Sequence, residues 1–232
     1  MNIVRYVGGL ALSGLVVMTG LTQAPASSKK LSSDEMLSRR VAECSTYEES
    51  DEPDECVRLG NTTAQSLLSD SLSWLNIPSG IALPSNDAGN SRFTYHPADL
   101  SIRGILDSIV AADPRYEWSI KGGVINLLPK VESPPLLDVH LAEFSQEEVP
   151  VRVMFEALEN RPEVRRRAAE LGFSKSQGGF EFQIGLVDTR KYTVRCQNCT
   201  VREALNAIAR QSGGFWVYRE YNHEGNKTYR FL

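Results

Sequence analysis

Apolar residues in the stretch 101–112 stand at Ile102, Ile105, Leu106, Ile109 and Val110, the i, i+3, i+4, i+7, i+8 spacing of a helix with one buried stripe. Asp113-Pro114 ends that helix, because the residue before a proline is pushed out of helical geometry. The period then drops to two over Tyr116–Ile120. Lys121-Gly122-Gly123 turns the chain, and Val124–Leu128 returns as a hairpin partner. Phe93–Tyr95 leads into the unit as an extended segment.

The same order recurs ninety-nine residues later without a gap. Tyr192–Arg195 is extended, and Thr200 opens a helix with Glu203 three residues on, the signature of a capping box. Val201, Ala204, Leu205 and Ile208 form its stripe, and Gly213-Gly214 closes it. Phe215–Tyr218 and Thr228–Leu232 make a hairpin with a longer tip than the first. Thr94/Thr193, Arg103/Arg202, Leu106/Leu205 and Ile109/Ile208 are identical pairs. Self-similarity at a fixed offset means that one supersecondary unit is used twice. The expected fold is α+β: two small helix-on-sheet modules with a repeated β-α-β-β core, each stripe buried on its own hairpin, and an N-terminal helical extension.

Around the repeats, Asp34–Cys44 and Asn61–Trp74 predict helices, Ile81–Leu83 a strand, and Asn76–Gly80 a helix stop between the last two. Leu136–Leu141 and Phe180–Val187 read as strands. Pro150–Asn160 and Pro162–Leu171 read as two helices split at Arg161-Pro162. The organisation implied is a signal peptide over 1–26, an N-terminal extension with an acidic Cys loop over 27–60, a first α+β module over 61–130 and a second over 136–232.

The leader changes the picture most. Arg5, an apolar run from Val7 to Leu21 and the small residues of Ala24-Pro25-Ala26 have the layout of a secretory signal, with cleavage expected after Ala26. The competing reading, a membrane anchor, needs a longer run with less Gly and Ser. No stable membrane insertion is expected after cleavage, and the localisation expected is periplasmic or secreted. Arg5 is the one charged residue removed, so the formal net charge moves from -4 to -5. An acidic chain is not expected to bind nucleic acid.

The repeat resembles the short N-terminal domain shared by secretins and TonB-dependent receptors. An extended segment runs into [Ser/Thr]-aliphatic-x-x-x-Leu-x-x-Ile, and an aromatic-led hairpin follows; 93–128 and 192–232 carry this pattern. The resemblance implies a periplasmic module that binds other proteins and catalyses nothing. With the second copy closing at Leu232, the expectation is a free-standing exported protein with neither pore nor barrel, acting as a non-enzymatic interaction module of the cell envelope. Its partner would be another envelope protein, bound by strand addition to a sheet edge or by hairpin faces. Tyr116, Trp118, Trp216 and Tyr218 are the candidate contact residues, with core packing the default for the tryptophans and an exposed ring the condition for anchoring a partner. Alternation puts Trp118 on the face of Tyr116 and Ile120, and Trp216 opposite Phe215.

Four cysteines in an exported chain read as disulfides, most simply Cys44–Cys56 and Cys196–Cys199, although three pairings exist. The C-x-x-C before a helix also admits a thiol–disulfide oxidoreductase using Cys196 and Cys199. Against that stand Thr200 as the better N-cap, which leaves Cys196 outside the helix, and the absence of proline after Cys199. A third reading is an envelope-polymer binder using the hairpin aromatics. No cofactor or metal is expected. His96, His140 and His223 are scattered, and Asp51, Glu52, Asp54 and Glu55 lack the regular spacing and Gly of a calcium loop. Arg165-Arg166-Arg167 sits among helix-spaced acids, with Glu163/Arg167 and Arg166/Glu170 as the expected pairs.

Overall fold

In a computed structural model, residues 31–43, 56–73, 75–83, 91–131, 134–175, 189–223 and 225–232 are described. The leader, the acidic loop, Cys44 and the expected strand Phe180–Val187 lie outside the described residues, as does the Cys56 side chain. The elements in chain order are α1 (Ser33–Ser38), β1 (Ala42–Glu43), β2 (Cys56–Val57), α2 (Ala64–Ser73), β3 (Ser79–Leu83), α3 (Ile102–Ala112), β4 (Tyr116–Lys121) and β5 (Val124–Pro129). They continue with β6 (His140–Val149), α4 (Val151–Glu159), α5 (Pro162–Glu170), β7 (Phe173–Lys175), β8 (Tyr192–Thr200), α6 (Val201–Ser212), β9 (Phe215–His223) and β10 (Asn226–Phe231). The fold is α+β, and both repeat copies form a helix followed by a hairpin.

The two hairpins share one sheet. Its strand order is β4-β5-β3-β9-β10-β7, with β3 parallel to β5 on one side and to β9 on the other. Successive residues of a strand point to opposite faces, and the core follows that alternation. Ile81, Leu83, Tyr116, Ile125, Leu127 and Val217 join α2 and α3 in one cluster. Ala82, Val124, Leu128, Trp216, Tyr218, Tyr229 and Phe231 join α4, α5 and α6 in the other. The two helical layers therefore lie on opposite faces of the shared sheet. Each buries residues supplied by the other half: Val217 in the first core, and Ala82, Val124 and Leu128 in the second.

β3 makes this junction possible. All five of its residues are buried, and Gly80 pairs with Trp216. A Cβ on Gly80 would stand 1.9 Å from the Trp216 ring, so only glycine lets the indole lie against the strand. As sequence, Gly80 reads as part of a helix stop; its place inside a strand depends on a tryptophan 136 positions away.

The duplication also reaches upstream of the hairpins. Ser101 and Phe93 bridge antiparallel to Arg40 and Thr62, and their counterparts Thr200 and Tyr192 pair antiparallel with His140 and Val149. The first helical amide crosses to that neighbour both times: Ile102 N–H donates to Arg39 O at 2.8 Å and Val201 N–H to Val139 O at 3.0 Å. β3 and β7 are matched as well, each lying parallel beside the second strand of its hairpin.

Departures from the expected elements follow from pairing with distant segments. α1 stops at Ser38 because the chain beyond it pairs with the α3 entry, where Val41 N–H donates to Leu100 O at 3.0 Å. Residues 31–43 and 56–60, read as an extension, place Met36, Leu37 and Val57 in the first core. The strand expected over Leu136–Leu141 instead starts at His140 and runs to Val149. Its Leu141 and Phe144 are buried while Glu143, Glu147 and Glu148 are exposed. Acid-rich residues hide a strand from propensity, and pairing with β8 creates it. Arg167 pairs with Glu170 at 3.1 Å rather than with Glu163, which pairs with Arg161 at 3.2 Å.

Candidate functional site

Two features offer chemistry, the outer strand β4 and the cysteine pair at the start of α6.

β4 and β5 form an antiparallel hairpin closed by Gly122 and Gly123, at φ 59° and 79°. Such positive values at both turn positions make the two-residue turn that fits strand twist. Lys130 N–H donates to Arg115 O at 2.8 Å, and backbone bonding in an antiparallel ladder recurs at every second residue. Glu117, Ser119 and Lys121 thus turn their backbone groups toward β5. Those of Trp118 and Ile120 point outward, and no described strand lies on that side. In the second half, β3 covers the corresponding edge of β9.

The four candidate aromatics do not share a surface. Tyr116 is 2% exposed, and Trp216 and Tyr218 are both 0%. A partner docking on the folded chain meets none of these three rings: Trp216 has the core packing that was its default, and the expectation that Tyr116 and Tyr218 form contacts is revised to core residues. Trp118 is half-buried, and it lies with Tyr116 and Ile120 in the first core as alternation predicts, whereas Trp216 is in the second. Trp118 Nε1 donates to Asp107 at 2.8 Å, and the Arg103 guanidinium sits 5.7 Å from the ring centroid. Trp216 Nε1 donates to buried Asn206 at 2.9 Å. Asp107 and Asn206 are repeat counterparts, yet their tryptophan partners are one register apart. A one-residue slip moves a strand side chain to the other face, which is what helices on opposite sides of one sheet require.

The buried tyrosines behave as core groups. Burial raises Tyr116, whose hydroxyl has no hydrogen-bond partner, and pushes Tyr95 up to about 12. Tyr218 is raised by burial, and its hydroxyl donates to Glu220 at 2.6 Å.

Cys196 and Cys199 are joined as a disulfide, Cα atoms 6.0 Å apart. They lie at the end of β8 rather than in a free turn, with Asn198 between them at φ 48°. Thr200 is the N-cap of α6, as expected: its hydroxyl accepts from Glu203 N–H at 3.2 Å, while Glu203 accepts from Thr200 N–H at 2.7 Å. That backbone bond holds the Glu203 carboxyl below its usual range. The disulfide borders a cavity of about 380 Å³ that Lys121, Arg195, Arg202 and Arg210 also line.

This cationic cluster was not legible in the sequence, because Lys121 comes from the first hairpin and the arginines from the second half. Arg210 joins them by donating to Gly122 O at 3.0 Å. The charges are partly answered: Arg195 pairs with Glu147, and Arg202 with Asp138 at 3.4 Å.

Among the described residues, no group of three or more His, Cys, Asp or Glu is arranged to hold a metal ion, and no helix is long and apolar enough to cross a membrane. No family model, curated protein or solved structure matches this chain.

Proposed function

We propose that this chain is an exported, non-enzymatic protein-interaction module of the cell envelope, similar in kind to the short N-terminal domain of secretins and TonB-dependent receptors. Its contact surface is the outer edge of β4, which takes up a strand from another envelope protein. One observation carries this reading. The first strand of the second hairpin is covered by β3, while the first strand of the first hairpin presents the same edge uncovered among the described residues. An exposed row of backbone donors and acceptors is a template for an added strand. The export part rests on the leader pattern of residues 1–26.

The test is affinity capture from the native compartment with the wild-type chain and with Ile120→Pro. Proline removes an outward N–H and leaves the β5 ladder its own donors. Capture of one envelope protein that the proline variant loses supports the reading. Equal capture by both rejects the β4 edge.

A second reading, a thiol–disulfide oxidoreductase using Cys196 and Cys199, is favoured by the cations lining the adjacent cavity, since positive charge stabilises a thiolate. Turnover of a disulfide substrate, lost in Cys196→Ser, would establish it. A pair that stays oxidised in native protein with no reductase turnover removes it.

A further inference from the structure

The edge of β4 is complementary to itself. If a second β4 runs antiparallel to the first with Ser119 opposite Ser119, then Trp118 faces Ile120 of the second copy and Glu117 faces its Lys121. The two-fold repeats both pairs. Trp118 and Ile120 are the residues whose backbone groups point outward, so each Trp118–Ile120 pair exchanges two hydrogen bonds. The Glu117–Lys121 and Ser119–Ser119 pairs then occupy the non-hydrogen-bonded sites, where facing side chains come closest, at Cα separations of about 4.5 Å. Glu117 and Lys121 are exposed, which leaves both charges free to meet. On the other face, half-buried Trp118 and Ile120 make aromatic–aliphatic cross-strand pairs. Moving the register by two residues in either direction, to Trp118 opposite Trp118 or Ile120 opposite Ile120, loses both opposite-charge pairs.

We propose that the chain self-associates as a two-fold dimer through antiparallel β4–β4 pairing centred on Ser119, joining two six-stranded sheets into one. This rests on the reading of β4 as a strand acceptor and names the partner as a second copy of the chain. Opposite charges in self-complementary positions select that occupant. A C₂ interface requires that residue i meet j and j meet i, and Glu117 and Lys121 satisfy this within one six-residue strand. A single strand pair is a small interface, so the dissociation constant belongs in the range of about 10–100 μM.

The competing account of the two charges is edge protection, in which Glu117 and Lys121 deter pairing. Sedimentation of the full chain across concentration separates the two. Self-association predicts a concentration-dependent dimer that Glu117→Lys weakens about tenfold, that Lys121→Glu weakens about as much, and that Glu117→Lys with Lys121→Glu restores. It also predicts that Ser119→Cys forms an intermolecular disulfide, and that the Trp118 and Ile120 amides gain exchange protection as concentration rises. All three substituted side chains lie on an edge strand and folding is checked by circular dichroism, so loss of association cannot pass for loss of fold. A chain that stays monomeric to about 1 mM overturns the inference, as does a dimer indifferent to both reversals. If a monomeric chain gains protection at Trp118 and Ile120 on addition of native-compartment extract, the second-copy inference fails and the strand-acceptor reading stands. If those amides stay unprotected under both conditions, both fail.

Discussion

The helices α3 and α6 begin with the same problem and meet it from opposite directions. Each N-cap hydroxyl, Ser101 and Thr200, accepts from a backbone amide three residues on, at 3.1 and 3.2 Å. The N-cap's own amide also needs an acceptor. In α6 it is Glu203, reaching back at 2.7 Å; in α3 it is Asp99, reaching forward from the loop at 2.7 Å. The counterpart of Glu203 is Gly104, and it must be small: a Cβ there would stand 2.3 Å from the Asp99 carbonyl. The C-termini differ as well. Gly213 turns α6 off in the left-handed region at φ 69°, while α3 ends on Asp113, whose carboxylate accepts from Arg115 Nε at 2.8 Å. A repeat thus preserves which backbone groups must be satisfied, not which residue satisfies them.

If the halves are equivalent in packing, the fully buried counterparts Leu106 and Leu205 should matter equally. Leu106→Ala and Leu205→Ala are each expected to lower unfolding free energy by about 4 kcal/mol in urea melts, with a single transition, because the halves share a sheet. Two separated transitions would break the comparison at its root.

Gly80→Ala probes the junction itself. Forcing a methyl against Trp216 is expected to cost about 3 kcal/mol, and Trp216→Ala added to it should recover part of that loss relative to Trp216→Ala in Gly80 protein. Strictly additive losses would mean that Gly80 does not seat the ring.

The two tryptophans sharpen the contrast between core and surface. Trp216→Phe strands a buried Asn206 oxygen and is expected to cost about 2 kcal/mol; Trp118→Phe releases exposed Asp107 to water and should cost under about 1 kcal/mol. Equal losses in thermal melts would contradict the burial difference.

The smallest effect separates the helix ends. The Arg115 hydrogen bonds hold the Asp113 carboxyl below the ordinary carboxylate range. A lowered folded-state pKa stabilises above the unfolded value of about 3.9 and is lost as pH falls through the folded value. Asp113→Asn should therefore cost about 1 kcal/mol or less at neutral pH, and the gap from wild type should close in acid. A gap that does not vary with pH would assign the cost to shape rather than charge.

How far the site could be read in advance follows from the same logic. The capping box at Thr200, the split between Val151–Glu159 and Pro162–Glu170, and the faces of Trp118 relative to Tyr116 and Ile120 and of Trp216 relative to Phe215 were legible, because each depends on residues a few positions apart. The elements that bury Trp216, the acid-rich strand β6 and the cations around the cysteine pair were not. Each needs a neighbour from distant sequence: β3 and α6 for the tryptophan, β8 for the strand, Lys121 for the cluster.

Periodicity and offset by themselves determined the helix–hairpin unit, its repetition and the residues that start and end the two repeat helices. These are local effects, in which backbone hydrogen bonding and a single amphipathic face decide the outcome within a dozen residues. Only the tertiary structure decided that the two hairpins share a sheet, that their helices lie on opposite faces and that β4 is left as an outer strand. Strand pairing is set by the partner's edge and by the burial of both faces, and nothing in a strand's own residues names the strand that will lie beside it.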